Sequence, residues 1–485
     1  MSQTFYSVSA PAGSGKTHAL VGHAIDLAKN NQKIIIAQPS EVLIKQTEKD
    51  IKARPGNVRL NKILWNTVGS NQSVINAILN FLKTSHEERP AEGEILLISQ
   101  QALSRLPRAY RQFWHLVVDE VPGAFKTHEM TIAESHGYIT KHLTLGEALI
   151  GDNMVVEAAD VNGLRLLSAN KKRDSAFALF KELADDVLNP DKLVIVNADA
   201  YAKLVANEGT RDCVNFYAFH KSEFVMDFAS TTVMGANFED TELAKLWEKL
   251  DNIEWKPHPV ISKNLRYTEH QNGIRLTIKY VIHGNWSQYY ASRPFADGNI
   301  LAAVVDAMSN ELQQDFLWQA NKQHDDLFDE GDKLPQIVHG LNRKSYQSKH
   351  GVALVKAINH SSGTAAFLKD IGLSAEELKV TLQYQNEYQA MMRCSLRDPN
   401  ATAPVTVCVV SEGSARWLEN LFPNCKVEKL NTDIPEPKPI GQPSPRPKST
   451  AERAHDSRQN KKVREAAARG EVYVARPWTP RKVKF

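Results

Sequence analysis

The chain has 485 residues, 42% of them hydrophobic, enough for two or three domains with cores of their own. Its net charge of +3 is uneven: residues 436–485 hold thirteen Lys or Arg against five Asp or Glu, a net +8 that leaves −5 for the rest. No apolar run approaches the roughly 20 residues of a membrane span. The four cysteines, Cys213, Cys394, Cys408 and Cys425, lack paired metal-type spacing. Together these argue against a membrane protein, structural zinc and an iron–sulfur cluster, and fit a reducing, cytoplasmic compartment.

The first element is a short apolar strand, Phe5-Tyr6-Ser7-Val8, followed by Ala10-Pro11-Ala12-Gly13-Ser14-Gly15-Lys16-Thr17 and a helical run from His18 to Lys29. Strand, small-residue loop and helix is the context of a phosphate-binding loop. Gly13 and Gly15 let the backbone turn its N–H groups inward around phosphate oxygens. Lys16 reaches the β- and γ-phosphates, and Thr17 supplies a hydroxyl for Mg²⁺. The helix N-terminus adds a favourable dipole. The loop starts too soon after Met1 for a secretory signal.

Lys33 to Ala37 reads as a buried parallel strand. Gln38-Pro39-Ser40 ends it, and a helix follows through Gln46. Such a strand-end loop, with the Ser40 hydroxyl, suits a nucleic-acid phosphate; the other reading is a plain β–α connection. Ile95 to Ile98 is the next strand and ends in Ser99-Gln100-Gln101-Ala102-Leu103. The run His115-Leu116-Val117-Val118-Asp119-Glu120 then delivers two carboxylates to a strand's C-terminal end, where parallel sheets bind ligands. Asp119 is expected to hold Mg²⁺, and Glu120 to orient or deprotonate an attacking water.

Residues 125–190 mix polar, helical and short apolar pieces with no nameable chemistry. Leu193–Val196 and Val214–Tyr217 read as a return to the sheet. Phe224–Phe228 reads as a strand ending near Ser230-Thr231-Thr232, hydroxyls placed to sense a nucleotide. A second sheet begins at Ile274, with Leu276, Ile278 and Tyr280 alternating with polar residues as a strand with one wet face. Residues 299–312 form an amphipathic helix. Phe316–Gln319, Gln336–Val338 and Val352–Val355 are short strands, and Val405–Val410 closes the sheet. Between them, 387–397 reads as a helix with Gln389, Arg393 and Arg397 on one face, four residues apart. Beyond Leu430, six prolines from Pro435 to Pro447 make an extended linker. A basic helix over 451–469 and a disordered end complete the tail. An acidic body with a basic tail suits contact with a polyanion; a merely solvated tail is the alternative.

Taken together, these pieces resemble superfamily 2 helicases of DEAD/DEAH type. Residues 10–17 resemble motif I, and Asp119-Glu120 motif II. Pro39, Ser40, Leu43 and Gln46 fall at the offsets of motif Ia, while Glu41 and Val42 depart from it. Ser99 to Leu103, with Gln100, is similar to the Thr-His-x-x-Leu pattern before motif II. Ser230-Thr231-Thr232 resembles motif III. Gln389, Arg393 and Arg397 resemble motif VI, with the last Arg one position late, so either arginine is the finger. His339 to Asn342, with Gly340, stands in for motif V.

The resemblance implies an α/β protein of two RecA-like P-loop NTPase domains with parallel sheets. It places the first at 1–124 and 191–260, an inserted subdomain at 125–190, the second at 261–430, and a largely disordered basic tail at 431–485. The insertion is similar in placement to the arch of the iron–sulfur DNA-repair helicases, whose cysteines are absent here. The implied activity is ATP- and Mg²⁺-dependent movement along nucleic acid, with DNA favoured over RNA and no membrane partner. Two other readings stay open. One is a terminase-type packaging ATPase, which needs a nuclease domain that the tail does not offer. The other is an ATP-dependent loader or switch without unwinding.

Overall fold

Short apolar runs alternating with helices build the first sheet. The computed structural model describes residues 4–56, 58–64, 73–208, 213–313, 315–338 and 343–437, with 458, 459, 462 and 473 in the tail. Met1–Pro435 is one unit and Glu436–Phe485 another. The strands are β1 (Phe5–Ser9), β2 (Lys33–Gln38), β3 (Arg59–Lys62), β4 (Glu94–Ser99) and β5 (Trp114–Asp119). An inserted set follows: β6 (Phe125–Met130), β7 (Leu143–Ile150), β8 (Asn153–Ala158), β9 (Lys192–Asn197) and β10 (Val214–His220). The chain then returns through β11 (Ser230–Gly235) and β12 (Trp255–Pro257).

The first sheet runs β12-β1-β11-β5-β2-β4-β3, and every pairing is parallel. Every residue of β2 is buried, as expected of a strand covered by helices on both faces. β5 lies two places from β1, with β11 between them, so the loop after β1 and the carboxylates after β5 flank the end of β11. All three ends open on the side where parallel sheets bind ligands.

The inserted strands pair β6-β10-β9-β8-β7, all antiparallel. This sheet runs to His220, past the limit of 190 read from the sequence. Leu193–Val196 and Val214–Tyr217 belong to it and not to the parallel sheet. Their apolar runs look like parallel strands because both faces are covered. Phe180 and Leu183 of the helix Ser175–Leu188 lie in one cluster with Val194, Val196 and Phe216. On the other face Tyr217 stacks on Phe367, with ring centroids 4.0 Å apart and planes 5° from parallel.

The second domain carries β13 (Leu276–Ile282), a hairpin of β14 (Pro294–Phe295) and β15 (Gly298–Asn299), and β16 (Phe316–Gln319). β17 (Asp332–Lys333), β18 (Gly351–Leu354), β19 (Val405–Ser411) and β20 (Lys426–Lys429) complete it. Its six-stranded sheet, β17-β16-β18-β19-β13-β20, is also wholly parallel. The fold is therefore two RecA-like α/β domains with parallel sheets.

Several sequence expectations shift. Ile274 is 81% exposed and lies in a one-turn helix before β13, and β13 buries Val281 and Ile282 as well as its alternating face. Val405–Val410 lies inside the sheet, between β18 and β13. Gln336–Val338 is no strand: it follows Pro335, and Ile337 is 75% exposed. Phe224–Phe228 holds a 3-10 turn, Ser222–Val225. The core extends past Leu430, since Ile434 is buried beside it and the Tyr290 hydroxyl donates to the Pro435 carbonyl. Among the described residues, no helix is long and apolar enough to cross a membrane.

Candidate functional site

The loop between β1 and the helix Lys16–Lys29 uses its two glycines in the left-handed region, at φ 88° for Gly13 and 86° for Gly15. L-residues with side chains are strained there. A Cβ on Gly13 would also lie 2.8 Å from the Tyr267 hydroxyl. The Lys16 ammonium donates to the carbonyls of Ala10 (2.8 Å) and Pro11 (3.0 Å) at the loop's entry. Burial lowers the Lys16 pKa to about 8, against the pull of Glu120 and Asp119. Ser14 is fully buried.

The chain between the two domains lies over this loop. The Arg266 N–H donates to the Ser14 carbonyl at 2.9 Å, and the Tyr267 hydroxyl to the Ala12 carbonyl at 3.2 Å. The Ala12 N–H donates to the Tyr388 hydroxyl (2.8 Å), which also bonds His270 Nε2 (2.9 Å). His270 stacks on Phe422 at 3.9 Å and, chiefly through burial, has its pKa lowered to about 3. Sequence reading passed over all of these residues, since nothing marks a linker tyrosine or histidine as touching a loop more than 250 residues away.

Asp119 ends β5 almost fully buried. Its Oδ2 accepts from Thr17 Oγ1 at 3.1 Å and from Gln38 Nε2 at 2.8 Å. Burial raises its pKa to about 6 and Glu120 adds to the rise, while Gln38, Thr17 and Lys16 oppose it. A hydroxyl and a carboxylate side by side are hard oxygen donors, the set that Mg²⁺ takes. Glu120 follows at φ 76°, an unfavourable conformation for a side-chain-bearing residue. Gln100 Nε2 fixes that turn by donating to the Glu120 carbonyl at 2.6 Å. Ser99 caps its short helix by accepting from the Ala102 N–H. Gln100 thus supports the carboxylate turn from behind, while Ser99 holds the start of the helix that carries Gln100.

The opposite wall comes from the second domain. The expected single helix over 387–397 is interrupted: it is helical at Gln385–Met391, then turns through a 3-10 segment, Ser395–Arg397. Met391, Met392, Cys394 and Leu396 are all buried, and no single helix face holds residues at 392, 394 and 396. Gln389, Arg393 and Arg397 still gather on the same cleft, although they share no helix face. Arg393 folds back on Gln389, donating through Nε to its carbonyl and through a terminal nitrogen to Oε1, both at 2.9 Å. Burial, helped by Arg397, lowers the Arg393 pKa to about 10; burial also lowers that of Arg397.

A cleft of about 670 Å³ joins the two walls. Gly13, Gly15, Lys16, Thr17 and Glu120 line one side, and Gln389, Arg393 and Arg397 the other. Gln46 reaches the same cleft from the helix Glu41–Lys52, beside Leu43 and Thr47. Ser40 caps that helix by accepting from the Leu43 N–H, and Pro39 is exposed before it. Ser230, Thr231 and Thr232 lie elsewhere. They begin β11, where Ser230 pairs with His115, at the end of the sheet away from the loop. Gly235 and Ala236 occupy the strand end instead, and Ala236 lines the cleft. The misplacement followed from reading Phe224–Phe228 as the strand. Gly340 and Asn342 lie outside the described residues.

No family model matches the chain, and no curated protein matches it. Among solved structures it is similar to S. cerevisiae Dbp5 bound to RNA and ADP BeF3, at 10% identity and a TM-score of 0.37, covering 89% of this chain and 86% of that one. It is similar to the DUF1998 helicase MrfA bound to DNA and AMPPNP, at 9% identity and a TM-score of 0.28, covering 88% of this chain and 50% of that one. It is also similar to T4 UvsW, at 10% identity and a TM-score of 0.23, covering 88% of this chain and 73% of that one. Each of these is a likeness of fold alone.

Proposed function

We propose that the chain is an ATP-dependent nucleic-acid helicase or translocase, with DNA as the favoured substrate. One observation carries this reading: the phosphate loop and Glu120 of one RecA-like domain line a single cleft with the buried Arg393 and the half-buried Arg397 of the other. Loop N–H groups and Lys16 hold the phosphates. Thr17 and Asp119 would hold Mg²⁺, which when bound neutralises phosphate charge. Glu120 orients the attacking water and accepts its proton. Arg393 or Arg397 neutralises charge on the transferring phosphoryl group, so turnover requires both walls. Opening and closing of the cleft moves the domains along a strand held through its phosphates.

Strand displacement tests this reading. DNA and RNA duplexes with 5′ or 3′ overhangs are incubated with the chain, with and without ATP and Mg²⁺. The expected outcome is ATP-dependent release of one strand, greater for DNA. ATP hydrolysis that ignores nucleic acid, with no strand released from any duplex, would reject helicase function in favour of a switch or loader.

A further inference from the structure

Gln38 ends β2 and is wholly buried beside Asp119. β2 and β5 pair in parallel, with Ala37 opposite Val118, so Gln38 and Asp119 are the next residues of two adjacent strands. The Gln38 amide nitrogen donates to Asp119 Oδ2 at 2.8 Å and to Thr47 Oγ1 at 2.9 Å. Thr17 Oγ1 donates to that same Oδ2. Two donors therefore converge on one carboxylate oxygen. The orientation of the amide follows from its neighbours: turned over, its carbonyl would face a carboxylate. The Gln38 Oε1 is buried with no hydrogen-bond partner among the described residues. Burying a polar atom without a partner is unfavourable, so packing alone does not account for a glutamine here.

We propose that Gln38 is a positioning residue for the cation of a bound nucleotide: by holding Oδ2 it fixes the Asp119 carboxylate that, with Thr17, would receive the metal. The inference rests on the nucleotide reading of the cleft. Thr47 steadies the amide from the helix Glu41–Lys52, whose Leu43 and Gln46 line the same cleft. Loss of Gln38 then weakens metal-dependent nucleotide binding and leaves metal-free binding to the loop and Lys16.

The test uses the full chain and a fluorescent ATP analogue. Its binding is measured in EDTA and across a Mg²⁺ titration, for the parent and for Gln38→Leu, with melting followed in parallel. Losing a partner behind a metal ligand commonly weakens metal affinity about 10–100-fold. Gln38→Leu is expected to raise half-saturating Mg²⁺ by about that factor, with binding in EDTA unchanged. A folded Gln38→Leu with the parent's Mg²⁺ dependence overturns the proposal, whatever its melting temperature. Should Gln38→Leu not fold, Gln38→Asn, whose amide is one methylene shorter, is read in the same way. A parent whose analogue binding ignores Mg²⁺ and survives Lys16→Ala overturns the nucleotide reading itself, and this inference with it.

Discussion

The clearest residues in the sequence were those whose chemistry is local. Lys16, Thr17, Asp119 and Glu120 sit where a strand–loop–helix pattern and an apolar run place them, because adjacency along the chain fixes adjacency at a strand end. Gln38 could not be read that way. Its partner Asp119 lies 81 residues on, and only the pairing of β2 with β5 brings them together. Ser230 to Thr232 misled for the opposite reason: their composition suited a nucleotide sensor, but β11 begins with them and does not end there. Two substitutions separate the proposed roles of the acidic pair and the lysine. Lys16→Ala should weaken ATP binding about 10–100-fold, in keeping with the ~1.5–3 kcal/mol of a hydrogen bond to a charged group. Glu120→Gln should bind ATP like the parent and lose about 10²–10⁴-fold in turnover, the scale of a lost general base. Equilibrium binding and single-turnover hydrolysis on both variants check this. Parent-like turnover in Glu120→Gln would remove Glu120 from the water-positioning role.

At the level of elements, the parallel strands were legible because burial on both faces gives continuous apolar runs. The helix over 387–397 was legible only in its first half. Spacing of four pointed to one face, yet the apolar residues at 391, 392, 394 and 396 require the chain to change winding. A five-residue π-helix at Val380–Tyr384 precedes this helix, another irregularity invisible to periodicity and frequent at functional sites. The result gives the two arginines different settings. Arg393 is locked onto Gln389, whereas Arg397 ends the 3-10 segment and lies half-buried on the cleft. If Arg393 is the finger, Arg393→Ala should keep ATP binding and lose roughly a thousandfold in hydrolysis, with Arg397→Ala milder. If the roles are exchanged, the larger loss moves to Arg397→Ala. A purely structural role predicts lower melting temperatures for both and no selective loss of turnover. Melting and single-turnover hydrolysis on the same two variants decide between these outcomes.

Across the whole of residues 1–435, what the sequence concealed is how one segment of the second domain joins the first. Phe367, Leu368, Ile371, Leu373 and Leu378 share a hydrophobic cluster with Tyr217 and Phe219 of the inserted sheet and Trp247 of the first domain. Nothing in the sequence singles out this segment, because burial against a distant element leaves no periodic signature of its own. The same junction holds Glu242, at the start of the helix Glu242–Asp251, 3.6 Å from His360 Nε2. Burial raises the Glu242 pKa to about 8 and lowers that of His360, so both are neutral near pH 7 and their proximity is not an ion pair. The sign of the pH effect follows. A carboxyl whose folded pKa lies above its unfolded value binds a proton more tightly when folded. Its contribution to stability is complete below the unfolded value near 4.5 and is lost as pH rises through about 8. Glu242→Gln keeps the shape and cannot ionise. It should melt like the parent near pH 4.5 and above the parent at pH 9, by a few degrees, with the difference opening between those values. Melting curves at pH 4.5, 7 and 9 check this. A Glu242→Gln variant that is less stable than the parent at pH 9 would mean that the ionised carboxylate finds a compensating partner at the junction, and the neutral pair would have to be abandoned.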